Sequence, residues 1–77
     1  MPDDINIKLT HSQALVLFDW LSRDKNRECL EFIDPAEEQV LWILEGKLEQ
    51  SLREPFADNY FELVAAARDR VRDNPDG

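Results

Sequence analysis

The sequence predicts an α+β fold, mainly α, with three helices and two short strands in the order β-α-β-α-α. Three observations predict it. Apolar residues recur at helical spacing in three segments, N-terminal capping residues precede those segments, and two short stretches alternate apolar and polar residues. At 77 residues the chain is read as one small domain, 1–77, with residues 1–4 and 73–77 expected to fray. A domain this short buries only about 60% of its unfolded surface, so its stability is marginal.

Ile5-Asn6-Ile7-Lys8-Leu9 alternates and predicts the first strand, with one buried face. Thr10 and Gln13 stand at the spacing of a capping box, so a helix is expected from about His11 to Asp24. Ala14, Leu17, Phe18 and Leu21 share one face of it, and Val16 and Trp20 form an apolar pair beside them. Ser22 to Glu28 is polar and reads as a loop. Glu28 to Ile33 predicts the second strand, Leu30 and Phe32 facing one way and Glu31 the other. Strand, helix and strand suggest a parallel pair with the first helix as crossover.

Asp34-Pro35-Ala36-Glu37 is the clearest helix start: Asp34 caps, Pro35 takes the first position and Glu37 closes a capping box. The helix should reach about Leu52, with Val40, Leu41, Leu44, Leu48 and Leu52 as its core stripe. Pro55 punctuates the next segment, and Asp58 or Asn59 can cap a third helix whose inward face is Tyr60, Val64, Ala67 and Val71, flanked by Phe61 and Leu63. Arg68, Arg70 and Arg72 fall in its last turns, where cations suit the helix dipole and can pair with Asp69 and Asp73.

The formal net charge is −8. Nine acids and four bases lie in residues 1–38, eight acids and five bases in residues 39–77, so the excess is spread along the chain. Such a chain lacks the basic stripe that nucleic acid needs, and an anionic membrane repels it; neither is an expected partner. A basic protein is attracted over long range, and the charge also serves solubility. One cysteine, Cys29, with no signal peptide, is consistent with a reducing cytoplasm, and no apolar run approaches the roughly 20 residues of a membrane span.

Catalysis needs constellations of residues, and the sequence offers little to build one. Cys29 and His11 could form a thiol nucleophile and base only if the two predicted strand ends lie together, and no third group to orient them is evident. The blander roles are a small buried hydrophobe for Cys29 and an exposed first-turn residue for His11. No metal-ligand spacing occurs, and the only glycines, Gly46 and Gly77, cannot build a phosphate-cradling loop, so no cofactor is expected.

One feature asks for an explanation. With the core stripe of the second helix turned inward, a second stripe runs elsewhere on its surface: Gln39, Trp42, Ile43, Gly46 and Gln50. It carries no charge in a chain that is 34% charged, and Glu38, Glu45 and Glu49 border it on one side and Lys47 on the other. Gly inside a helix costs roughly 1 kcal/mol against Ala, a cost more readily borne where something approaches the backbone closely. Either the stripe packs within the fold, with this helix at its centre, or it is a protein interface. The expected function is therefore a non-enzymatic acidic protein-interaction module, with self-association into a homodimer as one form. Alternatives are a toxin-immunity or antitoxin-like neutraliser of a basic partner, a small thiol enzyme using Cys29 and His11, and a nucleic-acid mimic.

Overall fold

A computed structural model of the chain describes residues 3–23 and 30–74. Three α-helices carry them: α1 (His11–Ser22), α2 (Pro35–Ser51) and α3 (Tyr60–Asp73), with a short 3-10 turn, Glu54–Phe56, between α2 and α3. The two predicted strands are absent, and no sheet occurs among the described residues. The parallel pair with a crossover helix falls with them.

The physical reason lies in what each segment finds as a partner. A two-stranded ribbon is marginal in water without further strands or a helix laid on it. Ile5 and Ile7 stay exposed, and the apolar side of residues 5–9 lies beside Leu17, Leu44 and Leu48 instead of in a sheet. Downstream, the Ile33 N–H donates to Glu37 Oε1 at 2.8 Å, so the end of the second predicted strand is drawn into the start of α2, with the Ile33 side chain 96% exposed. Glu28 and Cys29, where that strand was expected to begin, lie outside the described residues.

The helix starts follow their caps. Thr10 Oγ1 accepts from the Gln13 N–H at 3.1 Å, and Gln13 Oε1 accepts from the Thr10 N–H at 2.9 Å, completing the box expected at α1. At α2 Asp34 Oδ1 accepts from the Ala36 N–H at 2.8 Å with Pro35 in the first turn. Glu37 reaches one residue further back than a capping box requires, to Ile33. Asn59 caps α3 by position alone, without a side-chain hydrogen bond. α1 closes at Ser22 with Arg23 as its C-cap, short of the expected Asp24. α3 runs on through Asp73, the Asn74 N–H donating to the Arg70 carbonyl.

α1 is the middle helix, packed against both α2 and α3, a place that one of the two readings of the stripe gave to the second helix. Its two flanks divide the work: Ser12 and Asp19 face α3, and Leu17 faces α2. Ser12 bonds near the end of α3 and Asp19 bonds Tyr60 at its start, so α1 and α3 run antiparallel. The core is Leu15, Phe18 and Leu21 from α1, Leu48 and Leu52 from α2 and its C-cap, and Val64 and Ala67 from α3. Leu41, Leu44, Tyr60 and Leu63 pack at its margin. Of the stripe assigned to α2's inward side, Val40 turns out to be 60% exposed.

Candidate functional site

The most elaborate polar arrangement centres on Asp19. Its side chain is buried among Leu15, Phe18 and Leu21, and both oxygens are used: Oδ1 accepts from the Tyr60 hydroxyl at 2.8 Å and Oδ2 from Arg68 Nη2 at 2.8 Å. Arg23, one turn along α1, adds its guanidinium at 3.6 Å. A buried carboxylate is tolerated when it is paired and hydrogen-bonded on both oxygens, which is the case here. Burial pushes the Tyr60 phenol well above its ordinary range, and the hydrogen bond to Asp19 and the Asp19 charge push it the same way. Arg68 thus joins α3 to α1, where sequence reasoning had assigned it to the helix dipole and neighbouring acids. Every group in this knot binds another group of the fold. It holds α3 in place and leaves no group aimed at a ligand.

His11 is exposed at the start of α1, and its Nε2 meets Glu54 Oε2 on the 3-10 turn. Burial pushes Glu54 up, but the His11 hydrogen bond, backbone hydrogen bonds and the His11 charge outweigh it, leaving its carboxyl below the usual value. Cys29, the other half of the thiol pair considered from sequence, lies outside the described residues. Arg70 Nε donates to Ser12 Oγ at 2.7 Å, and Arg72 pairs with Asp69. Among the described residues no three His, Cys, Asp or Glu side chains converge on one point.

The charge-free stripe of α2 is exposed along its whole length. Gln39, Trp42, Ile43, Gly46 and Gln50 all lie on the solvent side, Trp42 52% and Ile43 57% accessible. At about 100° per residue, Gln39, Gly46 and Gln50 point almost directly away from Leu41, Leu44 and Leu48. A Cβ added at Gly46 would meet nothing within 4 Å, so nothing inside the fold calls for glycine there. Among the described residues the stripe is left exposed, with no other helix laid over it.

Beside the stripe, past Lys47, opens a feature that sequence reasoning missed: an apolar groove of about 460 Å³ between residues 5–9 and the α1–α2 pair. Ile5, Ile7 and Leu9 form one wall, Leu17, Leu44 and Leu48 the floor, and Lys47 the rim toward the stripe. The alternation in residues 5–9 was its only sequence signal, and alternation alone does not distinguish a strand from an extended segment lying on helices.

Comparison of the chain with models of known families, with characterised proteins and with solved structures returns no match.

Proposed function

We propose that this chain is a non-enzymatic protein-interaction module whose docking face is the outer side of α2. One observation carries the reading: an uncharged stripe containing a half-exposed Trp, opposite the core face of a helix, in a chain with 34% charged residues. Trp is among the residues most often found at the energetic centre of interfaces, and a gap in surface charge is the compositional mark of an interface core. No described helix is long and apolar enough to cross a membrane, and the single cysteine suits a reducing cytoplasm as the place of action.

Trp42→Asp tests this. It places a charge in the stripe without touching the core, so binding should be lost while helical circular dichroism and unfolding midpoint stay near wild type. Loss of the fold would mean that Trp42 belongs to the structure and would remove the reading. The net charge of −8 favours a second form of the same reading, neutralisation of a basic partner. Binding of that kind weakens as salt is raised, whereas an apolar contact holds.

A further inference from the structure

We propose that the occupant of this face is a second copy of the chain, docked with the two α2 helices parallel and each Trp42 lying over the other copy's Lys47. The inference rests on the interaction reading above and deepens it.

Two copies joined by a two-fold axis present the same face to each other. If that axis runs along the helices, they are parallel, and the left border of one face meets the right border of the other. If it runs across them, they are antiparallel, and each border meets its own kind. The two borders of this face are unlike. On one side, about 70° from the stripe centre by the helical step, stands Trp42, with Glu38 and Glu49 behind it. On the other, at a similar angle, stands Lys47, with the apolar groove behind it.

An antiparallel pair would therefore set Glu38 and Glu49 against the same two acids, and Trp42 against Trp42. A parallel pair sets an indole over an ammonium and separates the Glu38 and Glu49 borders of the two copies. Trp beside Lys is the favourable cation–π combination, and like charges move apart. Gly46 lies near the seam, and the space where its Cβ would be is open, so two backbones can approach closely there. Gln39 and Gln50 lie within about 10° of the stripe centre, so each would face its own copy across a parallel seam. The 17 residues of α2 span about 26 Å, so the seam is short. Charge on its own would favour a basic partner; the local pairing of borders favours a second copy.

Sedimentation equilibrium over a wide concentration range, combined with symmetric disulfide trapping, tests both parts. In a Cys29→Ser background, which removes the only native thiol, Gln39→Cys and Gln50→Cys are made separately. Both sites are exposed, so the fold should be kept, and circular dichroism checks that. The expected result is a wild-type mass that rises from monomer to dimer and a Trp42→Asp variant that stays monomeric. Under mild oxidation each cysteine variant should then link to itself. The two sites are about 16 Å apart along the helix, so an antiparallel pair centred between them would link only Gln39→Cys to Gln50→Cys in a mixture; that outcome, or a wild-type dimer in which neither variant links to itself, overturns the parallel arrangement. A wild type that stays monomeric throughout, with neither variant linking, overturns the second copy. In that event, Trp42-dependent capture of another protein leaves the interaction reading standing, and its absence removes both.

Discussion

Both oxygens of Asp19 accept from α3 while the side chain sits in the core, so its removal strands the Tyr60 hydroxyl and the Arg68 guanidinium together. Breaking a buried pair typically costs about 3–5 kcal/mol, and because the Arg68 side chain is 42% exposed the low end applies here. Asp19→Ala should lower stability by about 3 kcal/mol, and Asp19→Asn by less, since the amide oxygen still accepts from Tyr60; urea unfolding reads the difference. The same contact makes an alkaline prediction. Tyr60 has its pKa raised in the folded chain, so its contribution is complete below the unfolded value near pH 10 and is lost as pH rises toward the folded one. Because it is the chain's one tyrosine, the tyrosinate absorbance band follows it alone, and tyrosinate should appear together with unfolding. Tyr60→Phe should flatten the fall in stability above pH 10. An ionisation near pH 10 in a still-folded chain would contradict the contact.

At the scale of the element, Gly46 separates two demands on α2. Its Cβ position is empty space, so Gly46→Ala should raise the unfolding free energy by about 1 kcal/mol through helix propensity alone. The same methyl stands at the proposed seam and should weaken association, so thermal melts and sedimentation would move in opposite directions. What was legible in the sequence divides along similar lines. Helix starts were readable because Thr10, Gln13, Asp34 and Pro35 act within one turn of themselves. The charge-free stripe of α2 was readable because helical periodicity places Gln39 and Gly46 opposite Leu44 and Leu48 without knowledge of the neighbours, but whether it faced solvent or another helix depended on those neighbours. The absence of strands was not readable, because pairing depends on a distant segment, and Ile5 and Ile7 stay largely exposed along the edge of a groove where a strand was expected. Asp19 was passed over for the same reason: its partners Tyr60 and Arg68 are 41 and 49 residues away. A lone acid among Leu15, Phe18, Trp20 and Leu21 was the one local sign that such a partner existed.

Across the whole molecule, the middle position of α1 means that α2 and α3 are held in different ways. α3 docks through Val64 and Ala67 and is also tied by Tyr60 and Arg68. α2, the longest helix at 17 residues, contributes Leu48 as its one buried side chain, with Leu52 just past its end and Leu41 and Leu44 at the core margin. Its N-terminal half contributes no buried side chain. Native-state hydrogen exchange should rank the helices accordingly, with the amides of Leu41 to Leu44 losing protection before those of Phe18 to Leu21 or Val64 to Ala67. Uniform exchange across all three helices would mean that they open as one unit. If the ranking holds, the face offered for docking sits on the part of the fold that breathes most readily, and occupancy would register as slower deuterium uptake in that half of α2, rising with protein concentration while the α1–α3 pair stays unchanged.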